Sequence, residues 1–409
     1  MRILYISYSC DPFSGSEDQI GWNIPITSEG LNNIVYVITK EEHRSTILKY
    51  LQDYPDIKTK FFFVDIPRIY KKMFSGLFYS LRIILWQKRA LRLARKVCSE
   101  NSIDLIHQVA PIEFRALGDY GKIPKVHYVA GPIGGGFPIP KPLCAYTKGH
   151  FFSESLRRVL NTVSFLLLKM SGKIKRCDYV IFTNEETKTS FDRFHISIPN
   201  NKWEYHCDIG ISFENFNKTA KSNERKCVTF FVPGRLTYRK GHKLLFESIP
   251  RNIDSSIDFS FRIAGTGNFE KHLKGIVERD SFLKKHIIFL GKVPFNRMVD
   301  EYSACSAVIL PSLSEATGTV LIEGMATSKP IIAANHFGAK ILADSSCAWL
   351  YDGKTKEDLI ANFKDCIYEA IHNDLLLEKK GLQAREYARR YTWNAKVLHF
   401  NEIYSNLLK

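Results

Sequence analysis

Two loops in the second half of the sequence carry residues that suit a phosphorylated ligand. Gly234, Arg235 and Lys240 follow the apolar run Val228–Val232. Glycine lets the backbone turn sharply, the arginine guanidinium offers a planar fork of donors, and the lysine ammonium is a compact positive charge. Together they suit a diphosphate. A basic surface turn is the alternative interpretation of the same residues.

The second loop follows the apolar run Ala307–Leu310 and contributes two carboxylates. Glu315 lies in the loop, and Glu323, seven residues further on, lies in a helix predicted to begin near Gly318. Free amides at the start of that helix can cap a phosphate. Glu323 can chelate ribose hydroxyls, as an acid does in dinucleotide folds, and Glu315 can bind sugar hydroxyls. A solvated acidic loop is the alternative, but an acid inside an apolar run is costly without a partner.

Two further turns of the second half give weaker signals. Gly265 and Gly267 form a strand-to-helix turn after the apolar run Phe259–Ala264. Such a turn is weak evidence alone, because many merely connect elements. Val293 follows the next strand, where backbone groups can contact a nucleobase.

The first half offers two glycine-containing loops and a histidine. Gly15 lies in a loop of small residues after the first strand, and three consecutive glycines, Gly134–Gly136, follow a strand over 125–129. Glycine runs pack poorly, so close approach of a ligand would explain them. His107 ends another predicted strand and can contact a sugar or an acceptor. Flexible loops and a core histidine are the alternatives.

Strand and helix patterns alternate along the chain, which predicts two doubly wound parallel sheets covered by helices on both faces. Ligands of such folds bind at the carboxyl ends of the strands, so we expect the loops above to face a cleft between two Rossmann-like domains. The predicted domains are an acceptor-binding domain over 1–207, a polar linker over 208–226, a nucleotide-binding domain over 227–385 and a terminal helix over 386–409. The predicted strands are 3–7, 33–38, 60–64, 104–109, 125–129, 179–182, 228–232, 259–264, 286–290, 307–310 and 330–334.

Composition limits the class of protein. With 45% apolar and 24% charged residues, the chain is typical of globular proteins. The nine cysteines form no Cys-x-x-Cys pair and there is no Asp-x-Asp motif, so we expect neither a metal site nor a disulfide framework. Without a signal peptide or an apolar run of about 18 residues, a cytoplasmic location is expected.

The formal charge of +16 favours an acidic partner. Positions 68–96 and 151–175 mix basic and apolar residues, and amphipathic basic segments can lie on anionic membranes. A core helix with a basic solvent face is the alternative for each segment. If the segments do lie on a membrane, the enzyme would be peripheral on the inner face of the plasma membrane, with a lipid-linked acceptor.

The ordered set Gly234-Arg235 with Lys240, Gly265-x-Gly267, and Glu315 with Glu323 resembles the family 4 retaining glycosyltransferases, which have the two-domain fold called GT-B. The loops at Gly15 and Gly131–Gly136 resemble a bacterial branch of that family that makes cell-surface polysaccharides, such as O-antigen or capsule. The resemblance implies a terminal helix that crosses back to the first domain.

The resemblance also implies residue roles. Arg235 and Lys240 would hold the diphosphate of a UDP- or GDP-sugar, Glu323 the ribose and Glu315 the transferred hexose or deoxyhexose. The remaining members of the implied donor site are Gly15, Gly234, Gly265, Gly267, Val293, Thr317, Gly318 and Thr319. The family often has a histidine two positions beyond His107, where this sequence has Val109. No cofactor is implied. The expected partners are the sugar nucleotide, a lipid-linked glycan acceptor and an anionic membrane contacted through 68–96 and 151–175, and no nucleic acid is expected.

Two other functions account for part of the pattern. An NAD-dependent oxidoreductase shares the Rossmann signature but needs Gly-x-Gly-x-x-Gly after the first strand, which 10–21 does not match. A non-enzymatic polyanion-binding protein would explain the charge but not the placement of Glu315 and Glu323.

Overall fold

The structure, a computed structural model, describes residues 1–15, 17–74, 79–216 and 227–409. The chain forms two compact units. The first comprises 1–137, 157–210 and 393–409, and the second comprises 138–156 and 211–392. Positions 217–226 of the predicted linker and 75–78 of the first basic segment lie outside the described residues.

The first unit is built on a parallel sheet of seven strands in the order β3-β2-β1-β4-β5-β6-β7. The strands are β1 (Arg2–Ser7), β2 (Ile34–Lys40), β3 (Lys60–Val64), β4 (Leu105–Ala110), β5 (His127–Ile133), β6 (Tyr179–Phe182) and β7 (Trp203–Tyr205). Every residue of β4 is buried. A parallel strand covered by helices on both faces has no solvent-facing side, so even its two polar residues, His107 and Gln108, are buried.

The helices associated with this unit are α1 (Glu17–Gly30), α2 (Arg44–Asp53), α3 (Arg68–Met73), α4 (Tyr79–Asn101), α5 (Phe151–Ser171), α6 (Glu185–Arg193) and α15 (Trp393–Leu407). Helix α5 runs through the boundary between the units at 156 and 157. The terminal helix α15 packs beside α1, and Asn33 donates a hydrogen bond of 3.1 Å to Asn401. Phe400 and Tyr404 are completely buried there, so the C-terminal helix is part of the first core.

The second unit is built on a parallel sheet of six strands in the order β10-β9-β8-β11-β12-β13. The strands are β8 (Val228–Pro233), β9 (Phe259–Ala264), β10 (Ile287–Gly291), β11 (Ala307–Leu310), β12 (Ile331–Ala334) and β13 (Ala348–Tyr351). Its helices are α7 (His242–Ser248), α8 (Glu270–Glu278), α9 (Ser281–His286), α10 (Phe295–Ala304), α11 (Thr319–Ala326), α12 (Phe337–Leu342), α13 (Lys356–His372) and α14 (Asp374–Arg389). The predicted fold class, two doubly wound parallel sheets, is confirmed.

The eleven predicted strands are all present, and the prediction missed two edge strands. Strand β7 has only three residues and carries a glutamate at its centre. Strand β13 has four residues. Both are held by pairing with one neighbour, β6 and β12. Local sequence pattern is weak in such short segments, because the neighbouring strand supplies the stabilisation.

The bounds of the units differ from the predicted domains at three places. At the predicted linker, the first unit extends to Gly210 and the second begins again at Ile211. Residues 138–156 pack with the second unit, where Ile139 and Leu143 enter its apolar core. Tyr146 also donates a hydrogen bond of 2.8 Å to Glu247. The predicted terminal helix over 386–409 divides, because 386–389 end α14 in the second unit and α15 begins at Trp393.

No described helix combines the length and the hydropathy that a membrane-spanning segment requires.

Candidate active site

The order of the second sheet brings the two phosphate-suited loops together. The strand order reverses between β8 and β11, which are hydrogen-bonded neighbours at the centre of the sheet. In open parallel sheets, ligands bind at such a reversal, beyond the carboxyl ends of the strands. The loop carrying Arg235 and Lys240 follows β8, and the loop carrying Glu315 follows β11.

Close backbone packing joins these two loops. Gly241 has a φ of +69°, and a side-chain carbon at this position would lie 1.8 Å from the carbonyl oxygen of Pro311. The amide of Leu313 donates a hydrogen bond of 2.8 Å to the carbonyl of Arg239. The loop after β8 is therefore fixed against the loop after β11, and only glycine fits at the crossing.

The loop after β9 packs against the loop after β8 in the same way. A side-chain carbon at Gly265 would lie 2.0 Å from the carbonyl oxygen of Gly234, and one at Gly267 would lie 2.3 Å from that of Leu236. The amide of Leu236 donates to the carbonyl of Thr266 over 3.0 Å. Contact between the loops is sufficient to explain both glycines, and their predicted contact with a ligand stays a prediction.

Helix α11 begins where the sequence predicts. Gly318, with a φ of +92°, precedes its first residue, Thr319. The first turn of an α-helix leaves amides without intrahelical partners, and its dipole favours an anion. Thr317 is buried just before this turn. The structure thus places Thr317, Gly318 and Thr319 in one turn beside Glu315.

Lys240 and Glu315 form an ion pair that the sequence did not predict. The Lys240 ammonium donates to Glu315 Oε2, and the Ser312 hydroxyl donates to the same oxygen over 3.3 Å. The Lys240 and Glu315 side chains are 22% and 24% exposed. Arg235, in the same loop as Lys240, is exposed. Two cations and one carboxylate therefore share this edge of the sheet.

Glu323 has a buried partner, as its position inside an apolar run requires. The Tyr302 hydroxyl, on α10, donates a hydrogen bond of 2.5 Å to Glu323 Oε2. Burial raises the pKa of Glu323, and the hydrogen bond from Tyr302 opposes that shift. Burial and the adjacent Glu323 carboxylate raise the pKa of Tyr302.

A surface cavity with an empty volume of about 220 Å³ adjoins Glu315. Ser312, Thr317, His336 and Phe337 help to line it. The sequence analysis missed His336 and Phe337. Phe337 has a φ of +54°, which is uncommon for a bulky residue and typical of functional loops. Burial lowers the pKa of His336 to about 4, and its Nε2 has no hydrogen-bond partner among the described residues.

The structure gives His107 a structural role, because both ring nitrogens are hydrogen-bonded within the chain, and its predicted catalytic role stays a prediction. His107 is completely buried in β4. Its Nε2 donates to the carbonyl of Gly131 over 2.7 Å, so its Nδ1 accepts from the Tyr404 hydroxyl over 2.5 Å. Burial lowers its pKa to about 3. His107 is a core histidine that ties β4 to β5 and α15.

The glycine run of the first unit also has a structural explanation. Strand β5 continues to Ile133, so Gly131 belongs to the strand and not to a following loop. A side-chain carbon at Gly131 would lie 2.3 Å from the carbonyl oxygen of Ile181, and one at Gly136 would lie 2.6 Å from the Phe165 ring. Strand pairing and packing of α5 therefore account for these two glycines.

The carboxyl end of β1 carries Gly15 and a residue that the predicted site omitted. Gly15 is exposed just before α1. Glu17, two positions later, accepts a hydrogen bond of 2.7 Å from the amide of Ile112, and burial raises its pKa to about 7. A partly protonated carboxyl beside the reversal between β1 and β4 is a candidate proton donor or acceptor.

Val293, the residue predicted to contact a nucleobase, lies half-buried between β10 and α10 of the second unit.

Part of the chain is similar in sequence to known glycosyltransferases. Residues 212–390 match the family of glycosyl transferases group 1. An uncharacterized glycosyltransferase of Methanocaldococcus jannaschii is 29% identical over 198 residues, which cover 48% of this chain and 53% of the relative. The chain thus spans about half the length of this curated relative.

Solved structures extend the similarity of fold to the whole chain. A glycosyltransferase from Rickettsia africae superposes with a TM-score of 0.66 at 18% identity, covering 100% of this chain and 98% of that one. Anabaena HepE in complex with UDP superposes with a TM-score of 0.62 at 17% identity, covering 99% and 100%. The chain therefore has the GT-B fold seen in these structures, and its residues 212–390 are similar to the glycosyl transferases group 1 family.

Proposed function

We propose that this protein is a retaining glycosyltransferase that moves a hexose or deoxyhexose from a UDP- or GDP-sugar to a hydroxyl of a glycan acceptor. One observation carries the proposal. Arg235, Lys240, Glu315 and the first turn of α11 meet at the carboxyl ends of β8 and β11. HepE, a structure of similar fold, binds UDP, and a nucleoside diphosphate fits the charges of this edge.

Each end of a sugar nucleotide has a candidate partner in the second unit. The exposed Arg235 and the half-buried Lys240 supply positive charge to the diphosphate, and the amides that open α11 add donors. Glu323 binds the ribose hydroxyls while Tyr302 holds its carboxylate. Glu315 borders the cavity and binds hydroxyls of the transferred sugar.

The proposed reaction exchanges two bonds at the anomeric carbon. The bond to the diphosphate oxygen breaks, and the sugar passes through an oxocarbenium-like state. Arg235, Lys240 and the helix amides stabilise the negative charge that develops on the departing diphosphate. The acceptor oxygen attacks from the face that the diphosphate leaves, and its proton passes to the departing phosphate oxygen. Configuration is retained, and protein cations take the role that a metal has in other transferases, so neither a metal nor a cofactor takes part.

The acceptor proposed here is a lipid-linked glycan of a cell-surface polysaccharide, and α5 supports it. The stripe Val159, Val163, Leu166, Leu167 and Met170 follows the spacing of one helix face, and each of its residues is between 47% and 82% exposed. On the other face, Phe165 and Leu168 are buried in the core of the first unit. Monomeric proteins seldom expose an apolar stripe of this kind without a partner.

The charge around this stripe supports an anionic membrane as its partner. Positions 155–177 contain six basic residues and no acid. Arg158, Lys169 and Lys175 are exposed. A second copy of the chain would bring like charges together, whereas anionic lipid headgroups neutralise them. We therefore propose a cytoplasmic enzyme that binds peripherally to the inner face of the plasma membrane through α5.

The other basic segment, 68–96, supports membrane contact less well. Helix α4 buries Ile83, Trp86, Ala90, Ala94 and Val97 and exposes Tyr79 and Leu81 at its start. Trp86 donates a hydrogen bond of 3.1 Å to the carbonyl of Val64. Lys71 and Arg82 pair with Glu42. Much of this segment is therefore a core helix with a basic solvent face.

Thermal stabilisation by nucleotides tests the proposed function. The whole chain is melted with UDP, GDP, other nucleoside diphosphates and NAD, beside Arg235→Ala/Lys240→Ala. One diphosphate should raise the melting temperature; saturation at 100 times Kd adds about 2.7 kcal/mol. The double variant should lose this effect, and Arg279→Ala/Lys284→Ala, which removes two exposed cations of the same unit, should keep it. Stabilisation by NAD alone would favour an oxidoreductase, and no stabilisation by any diphosphate would contradict the proposal.

A further inference from the structure

The two residues assigned to opposite parts of the donor are paired with each other. Lys240 is assigned to the diphosphate and Glu315 to the sugar, yet the Lys240 ammonium donates to Glu315 Oε2. The Lys240 side chain is 22% exposed and the Glu315 side chain is 24% exposed. A ligand can therefore reach both groups, but each must exchange its present partner to bind it.

The diphosphate and the sugar act differently on this pair. A diphosphate attracts Lys240 more strongly than one carboxylate does, because it carries more negative charge. Bound alone, however, it leaves Glu315 unpaired and close to a like charge, which is unfavourable. A sugar offers Glu315 neutral hydroxyl donors, which satisfy the carboxylate once the lysine has turned to the diphosphate.

The loops give the pair little room to separate. Gly241 lies against the carbonyl of Pro311, where a side-chain carbon would approach to 1.8 Å. The amide of Leu313 is hydrogen-bonded to the carbonyl of Arg239 over 2.8 Å. Because the backbones on both sides are joined, we expect Lys240 and Glu315 to stay within reach of each other when a ligand binds.

We propose that the Lys240–Glu315 ion pair makes the site select the intact sugar nucleotide over the nucleoside diphosphate that remains after transfer. The inference rests on the proposed function and adds a specificity role to these two residues. When the donor binds, the diphosphate takes Lys240 and the sugar takes Glu315. After transfer the sugar leaves with the acceptor, Glu315 competes again for Lys240, and the diphosphate is released more readily.

Calorimetric titration of the whole chain tests this inference. The dissociation constants of the stabilising nucleoside diphosphate and of its sugar nucleotide are measured for the unaltered protein and for Glu315→Gln. The glutamine keeps the shape of the side chain and removes the competing charge. We expect the variant to bind the diphosphate about fivefold more tightly, the gain that a partly exposed pair provides. The intact donor, which loses its contact with the carboxylate, should bind no more tightly than before.

Three comparisons complete the test. Glu278→Gln removes an exposed charge of the same unit, paired with Lys284, and should change neither constant. Equal tightening by this control, or unchanged diphosphate binding in Glu315→Gln, would overturn the inference while donor binding still supports the transferase. An unaltered protein that binds no nucleoside diphosphate would overturn both. Glu315→Ala, which also removes the charge, should tighten diphosphate binding if the glutamine variant folds poorly.

Discussion

The buried hydroxyl of Tyr302 donates a hydrogen bond of 2.5 Å to Glu323, the acid that interrupts the apolar sequence of α11. The phenol is completely buried, and the carboxylate is only partly exposed. A residue on α10 thus holds in place the acid of α11 that is proposed to bind the ribose. Removing only the hydroxyl of Tyr302 would therefore distinguish its hydrogen bond to Glu323 from the packing of its ring in the core.

Tyr302→Phe should destabilise the protein by about 1–2 kcal/mol, because it leaves a partly buried carboxylate without its donor. Binding of the nucleoside diphosphate should weaken as well, because the ribose partner is no longer oriented. Urea unfolding and calorimetry measure the two effects. Tyr351→Phe is the matched control, because the Tyr351 hydroxyl is buried without a hydrogen-bond partner in the described part of the chain. Equal losses in both variants would contradict the proposed role of Tyr302.

Gly241→Ala should lower the free energy of unfolding by about 2–4 kcal/mol and abolish binding of the nucleoside diphosphate, because the added methyl collides with backbone at a positive φ. Gly275→Ala is the control. Gly275 lies inside α8 with nothing within 4 Å of the added carbon, so alanine there should stabilise by about 0.5–1 kcal/mol. If Gly241→Ala is as stable as the unaltered protein, the two loops separate easily, and the close packing of Gly241 against the Pro311 carbonyl is contradicted.

His107 should make the first unit sensitive to acid. Its folded-state pKa of about 3 lies below the ordinary value of 6.5. The unfolded chain therefore binds the proton first, so the contribution of the neutral histidine is complete above pH 6.5 and is lost as pH falls toward 3. Within this window the loss is about 1.4 kcal/mol per pH unit.

Urea unfolding at pH 7.5 and pH 5 measures this loss for the unaltered protein and for His107→Gln. The variant should be less stable at pH 7.5, but it should lose about 2 kcal/mol less on acidification. At pH 7.5 and low temperature its transferase activity should stay within about threefold of the unaltered protein, as for a residue acting only through the core. A loss of 100-fold or more in kcat without unfolding would restore a catalytic role.

The exposed stripe of α5 should bind anionic vesicles. Val163→Ser/Leu167→Ser/Met170→Gln should reduce co-sedimentation with phosphatidylglycerol vesicles by about tenfold. A loss of about 0.5 kcal/mol at each of the three partly inserted side chains adds up to about 1.5 kcal/mol, which is close to that factor. Leu375→Ser/Leu382→Ser on α14, at positions 81% and 58% exposed, should leave binding unchanged. The unaltered protein could instead sediment without vesicles while the α5 variant does not. That result would identify a second copy of the chain as the partner.

The sequence predicted much of the architecture because the signals involved are local. Buried parallel strands are continuous apolar runs, and eleven of them are visible in the sequence. The start of α11 is visible because Gly318 precedes an apolar helix. The need of Glu323 for a partner is equally local. An acid that follows Val320, Leu321 and Ile322 has little water to stabilise its charge and so requires a hydrogen-bond donor from the protein.

Tertiary structure decided what each polar group and each glycine does. The sequence singled out Gly265 and His107 as ligand contacts. In the structure Gly265 packs against the carbonyl of Gly234, and the His107 ring is hydrogen-bonded to Tyr404, which is distant in sequence. The strained Phe337 and the Lys240–Glu315 pair depend on loops that only the order of the strands brings together. Sequence therefore determined the elements and the residues available for chemistry. Which of those residues remain free for a ligand depends on long-range packing, which competes for the same donors, acceptors and space.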